Sequence, residues 1–255
     1  MKSNRVRRTL EGGGVALGTI VFEFATTGIA RLAAAAGAQF LLVDQEHTGF
    51  SLETVRTVIA AGRADDIAPL VRVPATEYHL VAGALDAGAL GVMAPAVESP
   101  EQARALASHA RYPPLGRRGF GLVYRDEWDP GGAAATIEHA NREMLVIAQI
   151  ETAPGVEHVE EIAAVDGIDA LWIGQNDLTA SLGIAGRFDA RPYLDAVERV
   201  LAAGKPVGAM VTSAEEGLRA LEQGFRLIAY WGDLWLYQQA LADGLAQLEE
   251  ARNAR

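Results

Sequence analysis

Residues 145–151 read Leu-Val-Ile-Ala-Gln-Ile-Glu, a short and nearly unbroken apolar run that ends on a carboxylate. A strand wetted on one face alternates apolar with polar residues, whereas a parallel strand covered on both faces is apolar almost throughout. The run at 145–150 is of the second kind. FLLVD at 40–44, APLVRV at 68–73, 89–94 with its LGVM, and ALWIG at 170–174 follow the same pattern. Adding 15–20, 206–211 and 226–230 gives eight strands, separated by Ala-rich stretches of helical period such as 51–63 and 99–110. Ser99 is placed to cap the second of these helices, with Pro100 at its first position and Gln102 where a capping box needs it.

Eight such units in 255 residues match a single (β/α)8 TIM barrel spanning 1–255, which typically takes ~250 residues. An open doubly wound sheet is the alternative, but no GxGxxG follows the first strand. One connection is long, running from the 99–110 helix through RYPPLGRRGFGLVYRDEWDPGG to residue 145. A segment of that length is a lid, a binding loop or concealed helix, and 136–142 reads as helix. At the end of the chain Leu234, Tyr237, Leu241, Leu245 and Leu248 share one stripe of a helix over 234–251, suited to the last barrel helix or to packing on another subunit.

Half of the residues are hydrophobic and 22% are charged, enough for a large core. With 22 basic and 33 acidic residues the net charge is −11, which argues against nucleic acid and anionic lipid as partners. No apolar run approaches the ~20 residues of a membrane span. There is no cysteine, hence no disulfide and no thiolate metal site. The basic first ten residues lead into no apolar signal segment, so a cytoplasmic protein is expected.

Barrel enzymes carry their chemistry at the C-terminal ends of the strands. There the sequence places Asp44, Glu46 and His47, then Arg72, then Glu151, then Asp177. Polar groups at the ends of several buried strands need a common polar pocket. Glu151 and Asp177 suit a hard cation such as Mg2+ or Mn2+, with positions left open for a chelating substrate; a glycosidase-like acid–base pair is the competing reading. His47 near Asp44 suggests a base with its orienting carboxylate, against the plainer reading of a solvated loop histidine. Arg72 fits either a buried ion pair or a cation aimed at a developing enolate. His79, His109, His139 and His158 fall on helix surfaces or ends and read as structural. The only lysines are Lys2 and Lys205, neither at a strand's C-terminal end, so an aldolase built on this chain needs a metal rather than a Schiff base.

The strings LLVDQEHTGFS, APLVRVP, LDAGALGVMAPAVESPEQA, RYPPLGRRGFG, IAQIET and LWIGQNDL, in this order, closely resemble the HpcH/HpaI aldolase family. That family includes 4-hydroxy-2-oxoheptanedioate and 2-keto-3-deoxy sugar-acid aldolases, and the resemblance covers most of the chain. It implies a class II aldolase that reversibly splits a 4-hydroxy-2-oxo acid into pyruvate, or a related 2-oxo acid, and an aldehyde. Glu151 and Asp177 would ligate a divalent metal, Mg2+ or Mn2+ with Co2+ or Zn2+ also possible, and no organic cofactor would be used. His47, linked to Asp44, would act on the aldol hydroxyl, and Arg72 would contact the 2-oxo oxygen. Gln149, Gly174, Asn176 and Asp177 would form the substrate-binding set, with Gln149 beside the metal and the N–H groups of Asn176 and Asp177 on the substrate carboxylate. The resemblance also implies hexamers, as trimers of dimers that exchange C-terminal helices. Two positions depart from the family pattern: Gln175 stands in the usual GPxDL loop, and Gln45 replaces a small residue. Arg117 and Arg118 either brace their loop or bind the far end of an acidic acceptor. The same site would also suit oxaloacetate decarboxylation or enolate trapping, and a non-catalytic oxo-acid-binding barrel is the reading outside catalysis.

Overall fold

A computed structural model describes residues 2–121 and 132–254. Eight parallel strands close into a barrel in sequence order: β1 (Ala16–Val21), β2 (Phe40–Asp44), β3 (Ala68–Arg72), β4 (Gly91–Ala94), β5 (Leu145–Ile150), β6 (Ala170–Ile173), β7 (Val207–Val211) and β8 (Leu227–Gly232). The expected strands coincide with these to within two residues at every end. Helix α1 (Arg5–Glu11) precedes the barrel; α2 (Ile29–Ala35), α3 (Leu52–Ala61), α4 (Tyr78–Asp86), α5 (Pro100–Ala110) and α6 (Ala133–Glu143) follow the first four strands. Then come α7 (Ala153–Glu157), α8 (Val159–Ala163), α9 (Gln175–Ser181), α10 (Arg191–Ala202), α11 (Ala214–Gln223) and α12 (Asp233–Asn253).

Side chains alternate across each strand, so every second residue points into the barrel. Phe40 and Leu42, Leu70, Leu145 and Ile147, and Trp172 pack together inside, while Leu41, Val43, Val71 and Val146 join the outer core beneath the helices. Continuing the inward alternation by one step brings Asp44, Arg72 and Gln149 to the mouth. The register pairs Asp44 with Arg72 and Gln149 with Trp172, so the site is assembled by strand pairing itself. Gly208 leaves room for the Trp172 ring: a Cβ there would lie 2.3 Å from a ring carbon.

Ser99 caps α5 as expected, but the capping box with Gln102 does not close. The Ser99 hydroxyl accepts the Gln102 N–H at 3.3 Å, although the Gln102 amide oxygen reaches back to the N–H of Glu98 rather than to that of the cap. Helix α1 was not expected. Its Val6 and Leu10 plug the end of the barrel opposite the mouth, and Arg7 pairs with Asp169 at 3.0 Å.

Helix α12 covers the expected 234–251 and leaves the barrel after its first turn. Tyr237, Leu241, Leu245 and Leu248 are 47–70% exposed. The outward faces of β1 and β8, where a last barrel helix would ordinarily pack, are bare at Leu17 and Tyr230. Among the described residues no helix is long and apolar enough to cross a membrane.

Candidate active site

Asp44, at the end of β2, is fully buried. Its carboxylate accepts the backbone N–H of Glu46 at 3.1 Å and of His47 at 3.2 Å, and the Nε–H of Arg72 at 2.7 Å. The turn 44–48 therefore folds around one carboxylate, as short acidic side chains at strand ends tend to arrange. This corrects one expectation. Asp44 does not hold the His47 ring; it holds the His47 backbone, because its oxygens are already spent on the turn and on Arg72. The acidic neighbour of the imidazole is Glu46, with Oε2 3.6 Å from Nε2 and 3.2 Å from Arg72 Nε. Burial pushes the Glu46 carboxyl above its ordinary range, with Arg72 and His47 pulling the other way. Burial opposes the Arg72 charge, but the hydrogen bond to Asp44 and the surrounding carboxylates outweigh it and hold the guanidinium more firmly protonated. Gln45 donates to the Phe50 carbonyl at 3.3 Å, so this departure from the family pattern braces the turn.

Glu151 follows β5 directly and is 4% exposed. One oxygen accepts the N–H of Ala96 at 2.7 Å and the other accepts the Gln149 side-chain amide. Ala96 has φ 48°, a left-handed conformation that costs a non-glycine residue on the order of 1 kcal/mol or more, and its N–H is spent on Glu151. Burial raises the Glu151 carboxyl above its ordinary range; the two hydrogen bonds lower it, and the charge of Asp177, in the first turn of α9, raises it again. The second carboxylate is thus close enough to be felt. The Gln149 amide oxygen is buried without a hydrogen-bond partner. A Cβ on Gly174 would lie 2.2 Å from Glu151 Oε2 and 2.7 Å from Glu151 Cβ, so only glycine lets β6 pass this carboxylate.

Two like-charged carboxylates, one of them desolvated, beside an unsatisfied amide oxygen form a donor set that fits a hard divalent cation. Among the described residues no group of three or more His, Cys, Asp or Glu could hold a metal, so the cation would rest on this pair plus neutral oxygens. The residues surround a cleft of about 380 Å³ whose described lining includes His47, Arg72, Gln149, Glu151, Asn176 and Asp177. No lysine is among those lining residues.

The family model for the HpcH/HpaI aldolase/citrate lyase family matches residues 23–235. The chain belongs to that family. It is 39% identical to a 4-hydroxy-2-oxovalerate aldolase of Novosphingobium aromaticivorans, over 97% of this chain and 95% of that protein. It is also 36% identical to a hydroxypyruvate/pyruvate aldolase of Deinococcus radiodurans, over 85% of this chain and 78% of the other. The solved HpcH/HpaI aldolase of Desulfitobacterium hafniense superposes with a TM-score of 0.92 at 30% identity, covering 96% of each chain. The protein is a carbon–carbon lyase of the aldolase kind.

In this HpcH/HpaI aldolase the two arginines after α5 have separate tasks. Arg118 is buried, pairs with Asp86 at 2.6 Å and lies 5.0 Å from the Tyr112 ring centroid, so it braces the loop. Arg117 lies 2.6 Å from His109 Nε2 and 5.7 Å from the Tyr78 ring centroid. Neither is among the described residues lining the cleft. His109 is buried at the end of α5, with Nδ1 2.7 Å from the Thr76 carbonyl, and pins that loop rather than facing solvent. Of the long connection from residue 111 expected to be a lid, binding loop or concealed helix, 122–131 lie outside the described residues; the helix expected at 136–142 is α6.

The remaining cleft wall escaped the sequence reading. Phe22 and Glu23 at the end of β1, and Leu234 and Trp235 in the first turn of α12, all line the cleft. Phe22 and Trp235 meet edge to face at 5.1 Å. Asp233, 7% exposed, accepts the N–H groups of Phe22 at 2.9 Å, Glu23 at 3.2 Å and Phe24 at 2.6 Å, locking β1 to α12. An aspartate opening a helix was the only local signal, and it did not reveal a partner more than two hundred residues away.

Replacing Gly174 by alanine is expected to displace the Glu151 carboxylate and leave the barrel folded. A catalytic group misplaced by about 1 Å costs about a hundredfold in rate, and a loss of that order in kcat/KM is expected here. Steady-state kinetics beside a thermal melt tests it; unchanged kinetics in a folded variant would show that Glu151 tolerates the displacement.

Proposed function

We propose that this chain is a divalent-metal-dependent pyruvate aldolase, cleaving a 4-hydroxy-2-oxo acid reversibly to pyruvate, or a related 2-oxo acid, and an aldehyde. The observation that carries this reading is the buried Glu151, raised in pKa and sensing Asp177, at the mouth of a barrel with no lysine among the described residues of its cleft. Glu151 and Asp177 would hold the ion, with Gln149 beside it. Mg2+ or Mn2+ suits oxygen donors best, and Co2+ or Zn2+ is compatible. When bound, such an ion supplies Lewis-acid stabilisation of negative charge on the enolate.

The chain's own groups account for the rest. The substrate carboxylate lies against the backbone N–H groups of Asn176 and Asp177, where Gly174 leaves space. His47 takes the proton of the C4 hydroxyl, the C3–C4 bond breaks, and the electron pair passes to the 2-oxo group as the aldehyde departs. Arg72 donates to that oxygen as its charge develops. Proton delivery to C3 then gives pyruvate. Asp44 positions both partners, gripping Arg72 through its side chain and His47 through its backbone. Glu46 lies beside the imidazole, its Oε2 3.6 Å from His47 Nε2.

Enzyme stripped with a chelator should lose pyruvate release from a 4-hydroxy-2-oxo acid and regain it with Mg2+ or Mn2+. Full activity after stripping would refute the metal reading. Oxaloacetate decarboxylation by the same site fits the aldolase-named relatives less well, and faster pyruvate formation from oxaloacetate than from hydroxy-oxo acids would reverse that order. A binding protein without catalysis has no use for His47 and Arg72 in this arrangement. The reading includes a cytoplasmic setting, in keeping with a chain free of cysteine.

The exposed stripe of α12 and the bare outer faces of β1 and β8 support an oligomer in which α12 of one subunit covers those strands on another, as hexamers made of three dimers. Aspartate at both Leu241 and Leu245 should therefore yield smaller species in sedimentation velocity. An unchanged sedimentation profile would exclude α12 from the interface.

A further inference from the structure

We infer that the acceptor side of the cleft selects an uncharged aldehyde and rejects one carrying a distal carboxylate, with Glu23 as the specificity-determining residue. This rests on the aldolase reading above. In the closed order of strands β5 lies across the barrel from β1, so Glu151 faces the end of β1 from the far side of the mouth. The 2-oxo acid half of the substrate belongs beside Glu151 and Asp177. His47 and Arg72, from β2 and β3, stand between the two sides. The aldehyde half is then directed toward β1 and β8.

The wall it meets there is Phe22, Leu234 and Trp235, with Met210 beside them, and one charged group, Glu23. Arg72 is the only arginine or lysine among the described residues lining the cleft, and it is already engaged by Asp44 at 2.7 Å and Glu46 at 3.2 Å. A divalent cation would offset Glu151 and Asp177, and the donor's own carboxylate adds another negative charge. A second substrate carboxylate would therefore lie against aromatic rings beside Glu23 with no cation among the described lining residues left to pair it. An alkyl or other uncharged chain would be packed by the same wall. Asp233 holds the backbone of Glu23 at the end of β1, accepting its N–H and those of both neighbours.

Pentanal and succinic semialdehyde are similar in length and differ in the terminal carboxylate, so they form the test pair, each condensed with pyruvate. The wild-type kcat/KM should favour pentanal by about tenfold or more. Glu23→Gln should narrow that ratio, and Glu23→Arg should narrow it further or invert it by supplying the missing cation. Preference for the semialdehyde in the wild type, or a ratio unmoved by both substitutions, would overturn the inference. Deuterium exchange into pyruvate in D2O without any aldehyde separates the two levels. No exchange by the metal-loaded wild type defeats the aldolase reading, whereas exchange together with semialdehyde preference defeats only the assignment of Glu23.

Discussion

A Glu151→Gln enzyme should lose about three orders of magnitude or more in kcat/KM for pyruvate release, since several kcal/mol of charge stabilisation depends on the ion and each 1.36 kcal/mol is tenfold. The substitution keeps the shape of the side chain and would remove one of the two proposed anionic ligands. Its effect on stability should have the opposite sign. Burial holds the Glu151 carboxyl above its ordinary range, so the ionised group is less favourable in the fold than in the unfolded chain. In metal-free wild type this contribution erodes stability as pH rises from the ordinary carboxylate value through the raised folded one. The glutamine variant has no such group to ionise. Without metal, its Tm at neutral pH should equal or exceed that of the wild type, and the gap should close in acid. A variant that is inactive and also clearly less stable at neutral pH would mean that Glu151 serves the fold instead.

Arg72 should show the reverse pattern, with both properties falling together. The guanidinium pairs with Asp44, which is fully buried, and with Glu46, which is largely so. Arg72→Ala strands those carboxylates, and breaking a buried pair from one side costs about 3–5 kcal/mol. Arg72→Lys keeps the charge and loses the planar guanidinium whose Nε lies against both Asp44 and Glu46. The lysine variant should remain folded with kcat reduced by about a hundredfold or more, the scale of losing one donor to a developing oxyanion. Thermal unfolding and kcat measured on both variants check this. An alanine variant that melts like the wild type would show that Asp44 and Glu46 find other partners.

The barrel was legible because parallel strands covered on both faces leave continuous apolar runs such as 145–150, and because their inward alternation ends on Asp44, Arg72 and Glu151. What stayed hidden depends on contacts that no local pattern encodes. Helix α1 has only Val6 and Leu10 as buried residues among charged ones, so its apolar period is too short to register. Asp44 and Glu46 both lie within three residues of His47, and only the folded turn decides which faces the ring. The aromatic wall joins the first strand to the last helix, a closure made when the barrel meets itself. Asp233 reads locally as a helix start, yet its main partners are the N–H groups at the end of β1.

Whether Glu151 and Asp177 grip one divalent ion together is decided by a Mn2+ titration of the metal-free protein followed by electron paramagnetic resonance. The wild type should bind one tight Mn2+ per chain. Glu151→Gln and Asp177→Asn should each weaken that binding by about a hundredfold or more, since losing even a ligand's supporting partner costs about 10–100-fold. A double variant that still takes up one Mn2+ with undiminished affinity would show that neither carboxylate holds the ion.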